Sequence, residues 1–428
     1  VLTPSDQSPD TFNSTLLLRS RIVLPMSRPP IENGAVLVEG NRIVGVGSSK
    51  DFLDGAQRTI DLGDSILLPG LVNAHCHLDY TDMAGTVPPQ KSFTDWIPLM
   101  LAAKAEWNYS EFAESWIRGA QMLLRNGTTT VADIEAVPEL LPEVWTTTPL
   151  RVISMLEMTG IKSRRPPRAI LQEALDRIET LPGGRCRVGL SPHAPYSTHP
   201  DLLRLSADVA AEHSWPLSVH VSESMQEFEM FTHACGAMFE WLRRNGRDMS
   251  DCGLGSPVQH LDRHGALCKN LLAVHVNYLG DKDVPLLRKR KVSVAHCPRS
   301  HAYFRHERFP FSKLKRAGIN VCLGTDSLAT VYKARREKVE LDLFEEMRSF
   351  ATAHPRVPAR TILQLATVNS ARALGLAGRI GEISEGALAD LVSIPLARGS
   401  DIYRSVLHHR GGVNASMIDG QWAIAPES

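Results

Sequence analysis

Between residues 71 and 325 the chain alternates short, nearly continuous apolar runs with segments whose apolar positions recur at helical spacing. Eight runs read as strands: 71–77, 128–133, 151–157, 187–193, 217–221, 271–276, 292–296 and 320–325. They are mostly unbroken by polar residues, as strands covered on both faces are. The segments between them read as helices. Residues 111–126 stop at Gly127, and residues 201–213 follow Pro200 and place Leu202, Leu205 and Val209 on one face. Eight strand–helix units predict an α/β fold, a (β/α)8 TIM barrel.

The two ends of the chain follow another pattern, with short β-like runs separated by turns. Residues 16–23, 35–38 and 42–46 come first, with Glu39-Gly40-Asn41 as a hairpin turn. Residues 391–394 and 414–418 come last, with Asp419-Gly420 as a turn. The pattern predicts a small β-sandwich domain built from both ends, 14–68 with 380–428, around a barrel spanning 69–379. Residues 224–270 are too many for a simple βα loop. Phe228, Phe231, Phe239 and Trp241 recur there at roughly helical spacing. Such an insertion after the fifth strand either lies over the barrel mouth or forms a helical excursion without substrate contact, and the sequence leaves both open.

Composition narrows the partners. With 43% hydrophobic and 22% charged residues the chain is ordinarily globular, and 47 basic against 47 acidic residues leave no net charge to attract a nucleic acid. The basic clusters 162–168 and 288–291 are local and read as solvated faces, the first in a Pro-containing loop and the second at a helix end. Seven scattered cysteines, with no CxxC pair, suit free thiols in a reducing compartment. No apolar run is long enough to span a bilayer, and Leu16-Leu17-Leu18 is interrupted by Arg19 and Arg21 and lacks a signal-peptide layout. The expectation is a cytoplasmic protein with no membrane partner; a homodimer is compatible with it.

The chemistry starts at His75 and His77. In a strand, residues i and i+2 share a face, so both imidazoles aim at one point with Cys76 turned away. Alone, such a pair is weak evidence, because buried histidines also occur as satisfied polar groups. The companions carry the case. His193, His220, His275 and His296 end strands four to seven, and Asp326 follows strand eight. That is the rim where such barrels keep their active sites. A catalytic zinc-like ion takes nitrogen and oxygen ligands and keeps a position open for water, and His75, His77, His220 and Asp326 form one such set. Glu223, three residues after His220, would reach the water as a proton shuttle.

These pieces resemble the amidohydrolase superfamily over nearly the whole chain. The match runs from Leu68-Pro69-Gly70-Leu71-Val72-Asn73-Ala74-His75-Cys76-His77 to Ala389-Asp390-Leu391-Val392. More narrowly, the chain looks like the cytosine/guanine/adenosine-type deaminase and chlorohydrolase branch. The residues that carry this are Ser191-Pro192-His193-Ala194-Pro195-Tyr196-Ser197, His220-Val221-Ser222-Glu223, Ala295-His296-Cys297-Pro298-Arg299-Ser300 and Gly324-Thr325-Asp326-Ser327. The resemblance implies one divalent ion, zinc by default with iron or manganese also suited, held by His75, His77, His220 and Asp326. Glu223, His275 and Asp326 would then work on the water and the leaving group. Two-metal members bridge their ions with a strand-four lysine; residues 186–193 contain none.

The implied reaction is hydrolytic deamination of an amino-substituted N-heterocycle by a metal-activated hydroxide, with release of ammonia. Residues 297–301 and the long insertion resemble aminodeoxyfutalosine-deaminase-like and adenosylhomocysteine-deaminase-like members, which points to a 6-aminopurine nucleoside. On the substrate side, Trp96 would pack on the base or nucleoside, and Glu157 would bind ribose hydroxyls or cap a loop. His193 and His296 would hydrogen-bond the heterocycle, Arg299 would meet a carboxylate or carbonyl, and Ser327 adjoins Asp326. Residues 329–336 replace the small polar loop usual in relatives. An s-triazine, guanine or cytosine-type amino- or chlorohydrolase is therefore the alternative. A non-catalytic scaffold is disfavoured because the full ligand set is present.

Overall fold

A computed structural model describes residues 15–52, 56–160, 165–396, 399 and 401–427; part of the basic segment 162–168 lies outside them. Eight parallel strands form the barrel: β1 Leu71–Cys76, β2 Thr128–Glu135, β3 Arg151–Met158, β4 Arg187–Pro192, β5 Leu217–Val221, β6 Leu271–His275, β7 Ser293–His296 and β8 Val321–Leu323. Each pairs with its sequence neighbours in order. The ring closes at the C-terminal ends of the strands. The N–H groups of Thr325 and Asp326 donate to the His75 carbonyl at 2.9 and 3.1 Å, and Cys76 bridges to Asp326. This approach requires Gly324, because a Cβ there would sit 2.6 Å from the His75 carbonyl oxygen.

Side-chain alternation fills the barrel in layers. Val72, Ala74, Ala132, Ile134, Ile153, Met155, Leu272, Val274, Ala295 and Cys322 pack into one interior cluster. Their neighbours Leu71, Val131, Val152, Leu271, Ala273, Val294 and Val321 pack outward into the core shared with the helices. The outer helices include α1 Phe93–Ala105, α2 Tyr109–Arg125 and α3 Pro200–Glu212. α2 starts with an Asn108/Glu111 capping box and is followed by Gly127 at φ +77°. α1 was not anticipated. It is apolar nearly all round, with Leu99 and Leu101 exposed, so its sequence lacks a one-sided stripe.

The chain ends form a separate sheet. Its order is Gln421–Ile424, Ala415–Ile418, Leu391–Pro395, Ser65–Pro69, Thr15–Val23, Ile31–Glu39 and Arg42–Ser48, with Arg58–Asp61 also pairing with Thr15–Val23. Leu18, Val36, Val38, Ile43, Leu391 and Met417 give it a core of its own. Ser65–Pro69 runs through Gly70 directly into β1, so the sheet fixes where the barrel begins.

Arg151, at the start of β3, ties the two parts together. Its guanidinium meets Asp390 at 3.2 Å and Asp419 at 2.8 Å, with the Arg151 side chain only 6% exposed. Arg151→Ala leaves Asp390 buried without its cation. The expected cost is about 3–5 kcal/mol of stability, read by denaturant titration; a change below about 1 kcal/mol, the ceiling of exposed pairs, would show that this bridge holds nothing.

Candidate metal centre

The strand ends depart from regular geometry where the site needs them to. Val72 and Ala74 face the interior, so unbroken alternation would bring Cys76 inward. A bulge between Asn73 and Cys76 adds a residue to β1 and reverses the parity, turning His75 and His77 to the centre. His220 arrives by plain alternation, since Leu217, Val219 and Val221 face outward. His275 and Asp326 come in through left-handed backbone, at φ 74° and 55°, with Ser222 and Val276 also left-handed at 52° and 50°. A β-branched valine in that region is uncommon, and residues held this way cost about 1–3 kcal/mol each.

The result is a knot of donors. His75 Nε2 and His77 Nε2 lie 3.8 and 3.7 Å from Asp326 Oδ1. Among the described residues, ligand atoms of His75, His220 and His275 come within 4.8 Å of one another, as do those of Glu223, His275 and Asp326. A divalent cation fits this set on two observations. Both ring nitrogens of His75 are buried without a hydrogen-bond partner. His220 Nδ1 donates to the His193 carbonyl at 3.0 Å, which leaves Nε2 as the lone-pair nitrogen.

Electrostatics agree. Burial, then the neighbouring His75, lowers His77 to about 4, and burial lowers His275 to about 3 despite Asp326. These rings are neutral at ordinary pH, as ligands must be. Burial alone would raise Asp326, but His75, His275 and His77 outweigh it and hold the carboxyl well below its usual range. Glu223 goes the other way. Burial, with Asp326 and Glu227 adding repulsion, raises it well above the usual carboxylate range. Its Oε1 is 3.5 Å from His275 Nε2.

The centre opens into a pocket of about 390 Å³. Of the expected substrate-side residues, Trp96, Glu157, His193 and Ser327 line it. Glu157 continues the inward series of Ile153 and Met155, and its Oε1 lies 3.9 Å from His193 Nε2. His296 and Arg299 are not brought to it. On β7, Ala295 and Cys297 take the inward positions, so His296 turns out and stacks on Phe309 at 3.8 Å. Arg299 sits in the first turn of a short helix, Pro298–Tyr303, and binds the buried Glu346 at 2.5 Å. It is a structural ion pair.

Several site residues went unseen in the sequence. Cys297 comes within 4.8 Å of ligand atoms of His75 and Asp326, and β7 alternation pointed to it once His296 was assigned outward. Tyr80 stacks on His77 at 5.5 Å and accepts a hydrogen bond from Lys104 of α1, and both line the pocket. Asp133 accepts from the Leu78 N–H and Trp116 Nε1, each at 2.9 Å, fixing the turn behind His77.

The insertion does reach the site. It folds into α4 Met225–His233, α5 Ala237–Arg244 and α6 Pro257–Arg263, and Trp241 and Leu242 of α5 line the pocket beside α1. Buried Arg247 fastens it to the rim by donating to the Tyr196 and Pro195 carbonyls at 3.1 and 3.3 Å. In the unusual 329–336 segment, Thr330 also lines the pocket, while Tyr332 is exposed. No helix among the described residues is long and apolar enough to cross a membrane.

Comparison with known proteins bears on this centre. The 5-methylthioadenosine/S-adenosylhomocysteine deaminase of Syntrophobacter fumaroxidans is 32% identical, over 88% of this chain and 87% of its own. A 5'-deoxyadenosine deaminase of Methanothermobacter thermautotrophicus is 29% identical, over 86% and 82%. The crystal structure of an adenosine deaminase from Xanthomonas campestris, with bound zinc, superposes with a TM-score of 0.82 at 26% identity, covering 96% of this chain and 92% of that one. The model of the Amidohydrolase family matches residues 66–423. That span holds every barrel strand and every residue of the donor knot, and the chain belongs to the amidohydrolase family.

Proposed function

We propose that the protein is a metal-dependent aminohydrolase that deaminates a 6-aminopurine nucleoside altered at its 5′ position. One observation carries the reading: Glu223 is a buried carboxyl lining the pocket, 3.5 Å from His275 and grouped with Asp326. The ligands are His75, His77, His220 and Asp326, and the ion is a single zinc. Zinc is favoured by the zinc-bound structural relative, and a single ion by the lysine-free β4. Such an ion lowers the pKa of water from about 15.7 toward about 7.

The chain's own groups do the rest. Glu223 gives its proton to the ring nitrogen beside the amine-bearing carbon, which makes that carbon electrophilic. Water adds there, with His275 and Asp326 orienting it. Glu223 takes up one proton from the added oxygen and passes it to the amine; as ammonia leaves, the remaining hydroxyl proton returns to Glu223 and the oxygen becomes the product carbonyl. Trp96 and Trp241 form aromatic walls for the base and its substituent, and Glu157 with His193 offers polar contacts to the sugar. The relatives' names, which specify methylthioadenosine, adenosylhomocysteine and 5'-deoxyadenosine, support this substrate class.

The test compares ammonia release from adenine, adenosine, 5′-deoxyadenosine and 5′-methylthioadenosine. Remote contacts that lower the transition state by about 1.4 kcal/mol give about tenfold in kcat/KM. The 5′-altered nucleosides are expected to exceed adenine by at least about that factor. If none releases ammonia while a chlorinated s-triazine is turned over, the substrate assignment fails and the metal centre stands.

A further inference from the structure

The main chain of Glu223 is gripped from both sides by side chains outside the pocket lining. Its N–H donates to Glu227 Oε2 at 2.9 Å, and its carbonyl accepts from Asn277 Nδ2 at 2.8 Å. Both side chains are buried, Glu227 completely. The Asn277 amide is itself oriented, since His301 Nδ1 donates to its Oδ1 at 3.0 Å.

Helix capping accounts for part of this arrangement. Ser224 caps α4 and accepts from the Glu227 N–H at 3.1 Å. A capping box would be complete with a return bond to the Ser224 N–H. Here the Glu227 carboxyl faces the backbone N–H groups of Glu223, Ser222 and Ser224 together, with Glu223 first among them at 2.9 Å. Asn277 has no part in capping α4, because it comes from the turn after β6. That turn holds the Glu223 turn by three further backbone bonds, from the N–H of Val276 to the Val221 carbonyl at 3.0 Å and from the N–H groups of Asn277 and Tyr278 to the Ser222 carbonyl at 2.9 and 3.3 Å. The two turns contain the left-handed Ser222, His275 and Val276. Strained backbone persists only where its surroundings over-determine it.

We infer that Glu227 and Asn277 are positioning residues that clamp the Glu223 peptide and keep its carboxyl in register with His275. The inference rests on Glu223 as the proton shuttle. A misplacement on the order of 1 Å costs about 10²-fold in rate, so the clamp acts on kcat more than on binding.

The experiment uses the full-length, metal-loaded protein and its Glu227→Ala, Glu227→Gln and Asn277→Asp variants. Asn277→Asp keeps the acceptor for His301 but removes the donor to Glu223. Glu227→Ala and Asn277→Asp are expected to lower kcat for 5′-deoxyadenosine about 10²-fold, with KM and metal content little changed. Glu227→Gln, which retains an acceptor oxygen, recovers most of the loss. Amide hydrogen exchange at Glu223 is expected to quicken by about tenfold or more in the two disruptive variants, which needs no turnover to read. Adding Glu227→Ala to Glu223→Gln should cost nothing further, since one acts through the other. Unchanged exchange at Glu223, unchanged kcat, or losses that multiply in the double variant would each overturn the clamp. If Glu227→Ala does not fold, Asn277→Asp decides by the same criteria. A wild-type protein that releases no ammonia sinks the substrate reading, and the exchange measurement still judges the clamp.

Discussion

Glu223→Gln is expected to leave the fold and the bound ion intact and to lower kcat by about 10²–10⁴-fold, the usual contribution of a general acid–base group. The carboxamide has nearly the volume of the carboxyl it replaces, so the buried site neither opens nor overpacks. The contacts from Glu227 and Asn277 go to the Glu223 main chain and survive the change. What disappears is the proton. Burial, with Asp326 and Glu227 nearby, raises the native carboxyl's affinity for a proton, which suits it to donate first to a ring nitrogen and then to accept from the incoming oxygen. An amide does neither at any accessible pH. Steady-state ammonia release, paired with elemental analysis of the same sample, separates this from metal loss. A kcat within about tenfold of wild type, below the range of such groups, would assign the proton transfers to another residue.

The barrel was legible because its signal is redundant. Eight apolar runs at strand length, each followed by a helical segment, leave few alternatives, and their observed bounds lie close to those read from the chain. The donors of the knot were legible for a weaker reason, namely that polar residues at the ends of buried strands need a purpose. Yet the argument for His75 and His77 was only half complete. Period-2 alternation puts them on one face, but the bulge decides that this face is the inner one, and nothing in residues 71–77 announces it. His296 fails for the matching reason. Without a bulge or a left-handed residue at the end of β7, alternation gives the inward place to Cys297. Arg299 was misplaced because its partner Glu346 lies 47 residues away on another helix, and sequence carries no mark of that pairing. The hairpins of the end sheet could be read from their turns. The parallel pairing of Arg58–Asp61 with Thr15–Val23 could not, since it depends on what the connecting chain allows in space.

Removing the ion is expected to abolish turnover and lower stability together. The donor knot is assembled in the folded chain alone, from β1, β5, β6 and the turn after β8, so the unfolded chain has no comparable site. An ion that binds only the folded state contributes about 4 kcal/mol when its free concentration is a thousand times Kd. Its loss leaves the buried Asp326 carboxylate without its cation, and leaves His75 with two buried nitrogens and no partner. Buried polar groups left in this way are costly. Chelation of the wild-type protein should therefore lower the midpoint of thermal unfolding, and added zinc should restore both midpoint and activity. His220→Ala should resemble the chelated state and resist rescue, because the substitution deletes the lone pair that the His193 carbonyl orients. The two measurements are joined by a stoichiometry, one ion per chain. Two ions per chain, or an ion retained in full by His220→Ala, would mean that a different set of donors holds the metal. Cys297 and His275, already within reach of His75, would be the first to examine by the same substitution.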